Sequence, residues 1–244
     1  MGFVLSNSGA NLQKIFVVSV CATFILSSIA QLLPEYEVQV LQRIFSGLQF
    51  NYRVNISRSS CVEASAGLNR TFVADRIYSS VVCNCSFINN TTVSVCHVTS
   101  IQMQRLNLAG TLPLEFANLS HLQEIDLSRN YLNGSIPSAF GQLPLVKLAL
   151  RGNRISGTIP AEIGDITTLK ELVLEDNLLQ GNLPTNLGSL INLERLLLTA
   201  NNFNGTIPVT FGNLRNLTDF RVDGNKISGQ IPDFIGNWTN IRRL

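Results

Sequence analysis

With 244 residues, a formal charge of +2 and only 14% charged side chains, the chain lacks the clustered basic stripe that a nucleic-acid or polyanion partner requires. Arg242 and Arg243 are its one adjacent basic pair. Length alone predicts one or two domains, a bound loosened by the internal repeats described below, because stacked repeats bury surface only against their neighbours.

At the N-terminus, Lys14 precedes an apolar run from Ile15 to Leu26, and Ser28-Ile29-Ala30 follows with small residues at the two positions a signal peptidase inspects. This predicts a signal peptide over residues 1–30, cleaved after Ala30. The run is shorter than the roughly 18 residues a bilayer span needs, which weighs against a retained anchor. Met1-Gly2-Phe3-Val4-Leu5-Ser6 fits the loose myristoylation pattern, a reading disfavoured by the export signal behind it.

From Pro34 to about Leu48 the residues Leu41, Ile44, Phe45 and Leu48 share one face at helical spacing, so a short helix is expected to dock on the open end of the first repeat. Gln49 to His97 shows no period and reads as an irregular, structural cap, making residues 31–97 one N-terminal unit. It holds Cys61, Cys83, Cys85 and Cys96, an even set typical of secreted disulfides. Four cysteines allow three pairings. Cys83 and Cys85 on an extended strand point the same way and bridge each other poorly, which favours Cys61 with Cys83 and Cys85 with Cys96. A zinc site would need two more ligands at suitable spacing, and His97 alone does not supply them, so no metal is expected. Ten N-glycosylation sequons, at Asn55, Asn69, Asn84, Asn89, Asn90, Asn118, Asn133, Asn204, Asn216 and Asn237, independently place the chain in the secretory pathway.

Repeats of the form L-x-x-L-x-L-x-x-N-x-L-x-G-x-I-P fill residues 98–244 as six copies and the start of a seventh. Asn130, Asn153, Asn177, Asn201 and Asn225 recur at spacings of 23, 24, 24 and 24 residues, with Leu106 at the asparagine position of the first copy. Such a period predicts an α/β right-handed leucine-rich-repeat solenoid, with a parallel concave sheet and an N-terminal disulfide cap. In each copy L-x-L forms a short strand and the asparagine turns the chain, its amide bonding backbone groups of neighbouring turns. Gly134, Gly157, Gly181, Gly205 and Gly229 precede the I/L-P pair at positions needing unusual backbone angles. Trp238 falls where Leu190 and Leu214 fall and is assigned to the core. Ile241 and Leu244 align with Leu217 and Phe220, so the chain stops inside a strand, as the front of a longer protein or the product of a truncated gene would.

Catalytic material is poor: two histidines, His97 and His121, no G-x-G loop and no G-x-S-x-G elbow, so neither an enzymatic role nor a cofactor is expected. Sheet-facing positions can be aligned down the stack. Glu124, Lys147, Glu171, Arg195 and Asp219 alternate in sign and can satisfy one another. The next column runs Gln102, Asp126, Ala149, Val173, Leu197 and Arg221, placing three apolar side chains on a face expected to be wet. With Arg151, Glu175, Asp176 and Thr199 beside them, Ala149, Val173, Leu197 and Arg221 form the candidate ligand-binding set, on a face that carries no sequon in repeats two to six.

The chain resembles the extracellular region of plant leucine-rich-repeat receptor-like kinases: L-x-G-x-I-P is their repeat signature. The run from Cys83-Asn84-Cys85-Ser86-Phe87 through Cys96-His97-Val98-Thr99-Ser100 to Gly110-Thr111-Leu112-Pro113 is similar to the subgroup whose repeats precede a malectin-like domain, a membrane span and a kinase. The resemblance implies a cell-surface receptor that binds a peptide, a wall-derived carbohydrate or a co-receptor ectodomain, with membrane attachment and kinase supplied by segments absent from this chain. A second expectation is a secreted inhibitor or decoy, similar to plant repeat proteins that block wall-degrading enzymes in the apoplast.

Overall fold

The computed structural model describes residues 32–49, 56–61, 70–72, 77–88 and 94–244. The expected signal peptide and the sequons at Asn55, Asn69, Asn89 and Asn90 lie outside the described residues.

In every repeat the two residues flanking the middle of L-x-L point inward and the middle one outward, as the period of two demands. Three-residue strands result: β5 (Glu124–Asp126), β7 (Lys147–Ala149), β9 (Glu171–Val173), β11 (Arg195–Leu197) and β13 (Asp219–Arg221). They stack in parallel and in register, Ile125 beside Leu148, then Leu172, Leu196 and Phe220. Parallel strands joined by crossovers give the right-handed α/β solenoid the repeats predict. The seventh repeat begins as expected, Arg243 bridging Asp219 of β13.

Behind the strands lies a narrower second layer: β4 (Ala109–Thr111) pairs β6 (Tyr131–Asn133), and β8 (Ser156–Gly157), β10 (Leu178–Asn182) and β12 (Asn202–Asn204) form a three-stranded ladder. On the far side each I/L-P pair opens a five-residue 3-10 turn, such as Ala161–Asp165 after Pro160. Proline's fixed φ, −60° at Pro160, pre-sets the entry to the turn. Gly164 is required there by proximity: a Cβ would lie 2.4 Å from the Asn186 carbonyl oxygen of the next turn. Gly181, at φ +81°, meets the other demand, a left-handed backbone before the Leu-Pro pair.

The asparagine ladder forms as the spacing predicts. Asn177 accepts from the Ile155 N–H (3.1 Å) and donates to the Leu150 and Leu174 carbonyls (3.0 and 3.1 Å), tying its own turn to the preceding one. Asn130, Asn153, Asn201 and Asn225 repeat the pattern, and Asn130 also holds the N–H of Leu106, where the first copy has no asparagine of its own. Trp238 is core, 2% exposed, with its indole N–H on the Phe211 carbonyl (3.0 Å).

The helix α1 (Glu35–Gly47) buries Leu41, Ile44, Phe45 and, just past its end, Leu48 against the first repeat. The Ala109 N–H reaches the Leu48 carbonyl, and Gly110 passes so close that a Cβ would sit 2.8 Å from the Gly47 oxygen. Glu37 of α1 is 1% exposed and accepts from the Val98 N–H (2.9 Å), with the His97 ring nitrogen on its other oxygen.

Among the described residues, the segment read as irregular holds regular strands. It contains β1 (Arg70–Phe72), β2 (Ile77–Ile88) and β3 (Ser94–Gln104), antiparallel β2 and β3 continuing the concave sheet, so that β3 runs straight from the cap into the first repeat. Both disulfides join the expected partners: Cys61 to Cys83, and Cys85 across the hairpin to Cys96. Two register shifts, between Val82 and Cys83 and between Asn84 and Phe87, break the alternation that would have announced β2 in the sequence.

Candidate binding surface

The concave sheet presents three columns of side chains. In the first, Lys147 reaches Glu124 (2.9 Å) and also Asp126 of the middle column (3.0 Å), while Arg195 pairs with Glu171 (3.2 Å). The sign alternation is thus resolved into local pairs, not one continuous ladder. Burial alone would lower the Lys147 pKa, but the Glu124 and Asp126 carboxylates outweigh it and hold the ammonium above its ordinary value. Glu124 is held low in turn, since hydrogen bonds from Lys147, Gln102 and Ser100 outweigh its desolvation.

The middle column corrects an expectation. Ala149, Val173 and Leu197 do adjoin one another, forming a cluster separate from the main core, but they are 2%, 9% and 2% exposed and therefore not a wet apolar patch. Strands spaced about 4.8 Å apart let the long charged side chains on either side close over a narrow apolar strip.

Around that strip the remaining candidates gather. Glu175 is 5% exposed and lies between two guanidinium groups, Arg151 Nη1 at 3.5 Å and Arg221 Nη1 at 3.9 Å. Arg151 Nε also reaches Asp176 (3.2 Å), which is exposed and held at φ +55°. Arg221 donates from Nε and Nη2 to both oxygens of buried Asp219 (2.8 and 2.9 Å), and this hydrogen bonding raises its already high pKa. Thr199 is occupied with Asp223 (2.7 Å). The eight residues singled out in the sequence thus share one surface, with its apolar members as floor and Arg151, Asp176, Thr199 and Arg221 as the reachable rim.

Residues the sequence did not flag complete the picture. Gln104 donates to Asp126 (2.9 Å) and Ser100 to Glu124 (3.0 Å), carrying the network into the cap hairpin. A second asparagine ladder, Asn192, Asn216 and Asn240, ties the outer turns through bonds to the Thr167, Ile191 and Arg215 carbonyls. Asparagine at the same place in three successive repeats, in Asn192-Leu193, Asn216-Leu217 and Asn240-Ile241, was its available signal. Among described sequons, Asn84, Asn118, Asn133, Asn204, Asn216 and Asn237 are all exposed, and the repeat sequons stand off the concave face. No helix among the described residues is long and apolar enough to cross a membrane.

Comparison with known proteins agrees with this architecture. Family models described as leucine-rich repeat match residues 97–155, and again 192–214 and 216–238. A probable leucine-rich-repeat receptor-like serine/threonine-protein kinase of Arabidopsis thaliana is 49% identical over 156 residues, which are 64% of this chain and 14% of that protein. The chain therefore corresponds to a small fraction of that relative's length. Among solved structures, the plant peptide hormone receptor RGFR1 in complex with RGF2 aligns with a TM-score of 0.59 and 36% identity, over 60% of this chain and 24% of the other. The BIR3–SERK2 complex from Arabidopsis thaliana aligns with a TM-score of 0.59 and 30% identity, over 80% of this chain and 96% of the matched one.

Proposed function

Because the chain belongs to the leucine-rich-repeat family, with plant receptor-like serine/threonine kinases as its relatives, we propose that it is the extracellular binding region of a cell-surface receptor-like kinase. It engages a peptide or a co-receptor ectodomain through the concave rim and contributes recognition, with no catalysis of its own. The supporting observation is the rim itself: Arg151, Asp176 and Arg221, with side chains 44%, 50% and 33% exposed, arranged about the buried carboxylate of Glu175. Charged groups pre-positioned by buried partners give an oriented polar ligand fixed contacts at little ordering cost. The peptide hormone receptor RGFR1, solved in complex with RGF2, and the BIR3–SERK2 complex support a peptide or a second protein chain as the partner. Two disulfides in the cap support export to an oxidising compartment.

The test is biolayer interferometry of the full chain, secreted from insect cells, against the SERK2 ectodomain. Binding that weakens roughly tenfold in Arg151→Glu and recovers in Arg151→Lys supports the co-receptor reading. An affinity indifferent to Arg151→Glu removes the rim from the account, and no binding by the wild-type chain removes the co-receptor reading.

A further inference from the structure

Tyr131 is half exposed on β6, and Asn133, the acceptor of the sequon Asn133-Gly134-Ser135, is exposed two residues further along the same strand, with buried Leu132 between them. Alternation along a strand puts Tyr131 and Asn133 on the same outward face, about 7 Å apart. The guanidinium of Arg154, from the following repeat, lies 5.2 Å from the Tyr131 ring centroid. The opposite ring face looks towards β4 of the first repeat, where Ala109 is the registered neighbour of Tyr131 and Thr111 that of Asn133. Tyr131 thus has one face covered by a cation and the other turned towards the neighbouring strand, with the Asn133 side chain on the same outward face.

We propose that the N-glycan on Asn133 folds back onto Tyr131, its first N-acetylglucosamine laying a C–H-rich pyranose face on the ring face away from Arg154. A pyranose presents axial hydrogens to the negative face of an aromatic ring, and the stack removes apolar area of both from water. Arg154 restrains the ring from its other side, so that little side-chain freedom is lost when the sugar docks. The glycan then becomes part of the second sheet, bridging the first and second repeats. The sequon at Asn204 supplies an internal comparison. It occupies the same place in its repeat, on β12, but Asn202 stands where Tyr131 stands, so its glycan has no ring to rest on. The proposal rests on export through the secretory pathway, and its test separates failure of that reading from failure of the stack.

The full chain is secreted from insect cells and its glycopeptides are analysed by mass spectrometry. Thermal melting is followed for wild type, Asn133→Gln, Tyr131→Ala, the double variant and Tyr131→Phe. We expect Asn133 to be occupied, with its core sugars cleaved by endoglycosidase under native conditions more slowly than those at Asn204. Asn133→Gln should lower Tm by about 2 °C in the wild-type background and leave it unmoved in Tyr131→Ala, a coupling of the size one aromatic contact gives in a chain of this length. Tyr131→Phe keeps the ring and should keep the coupling. A chain that is not secreted under its own leader, with no sequon occupied, overturns the export premise, whereas a secreted chain with Asn133 unoccupied overturns the proposal alone. Occupied Asn133 with additive melting shifts, or equal cleavage at the two sites, overturns the stack alone.

Discussion

At the scale of single residues, the asparagine ladder carries the most information, because each amide replaces backbone partners that a tight turn leaves buried. Asn177 is 6% exposed and bonded to groups in two repeats. Its change to Ala strands those groups and should cost about 1 to 3 kcal/mol in urea unfolding, with the m-value unchanged. The residue before each ladder asparagine adopts a left-handed backbone: Arg129, Gly152, Asp176, Ala200 and Gly224. Two of these are glycine; Ala200, at φ +55°, carries a Cβ where it is disfavoured, so Ala200→Gly should stabilise the chain by about 1 kcal/mol. A loss of stability in that variant would contradict the backbone placement. His121 stacks on His97 at 4.1 Å, and burial, followed by the neighbouring His97, lowers its pKa from 6.5 while Glu37 pulls the other way. A lowered folded value means that the unfolded chain takes up the proton first. Stability is then full above pH 6.5 and falls as pH drops through the folded value. In His121→Phe, urea midpoints measured from pH 7.5 to 4.5 should lose that part of the slope. The asparagines and core leucines were legible because a repeat multiplies each signal; Glu37, a single buried acid on a helix, had no second copy to reveal it.

At the scale of elements, the short strands and turns follow from period and turn chemistry, and the helix from its one apolar face. The cap hairpin did not, since two bulges scramble the alternation of β2 and its inward positions include Ser79 as well as Val81. Tertiary pairing with β3, which continues into the first repeat, supplies the order that local sequence does not. Outer turns depend on close approach. Gly164→Ala drives a methyl group against the Asn186 carbonyl and should destabilise by about 1 to 3 kcal/mol, whereas Gly236→Ala, where an added Cβ meets nothing within 4 Å, should be close to neutral in the same melt. Equal effects at the two positions would mean that the turns are not stacked as described.

At the scale of the whole molecule, the solenoid divides its surfaces: the sequons of the repeats stand on the flanks and outer turns, and the concave sheet keeps a network of paired charges over a narrow apolar strip. Columns of sheet-facing residues could be read from the repeat frame, but their exposure could not, since it depends on how far arginine and glutamate side chains lean across neighbouring strands. The central claim, that this bare concave face is the recognition surface, is tested most directly by placing a glycan on it. Glu171→Asn combined with Val173→Thr builds a sequon in the middle of the sheet, and Asp165→Asn, followed by Ile166 and Thr167, builds one on an outer turn. With occupancy confirmed by mass and melting checked by circular dichroism, the concave glycan should abolish binding to the SERK2 ectodomain while the outer one leaves affinity unchanged. Full affinity with the concave glycan in place would contradict the account.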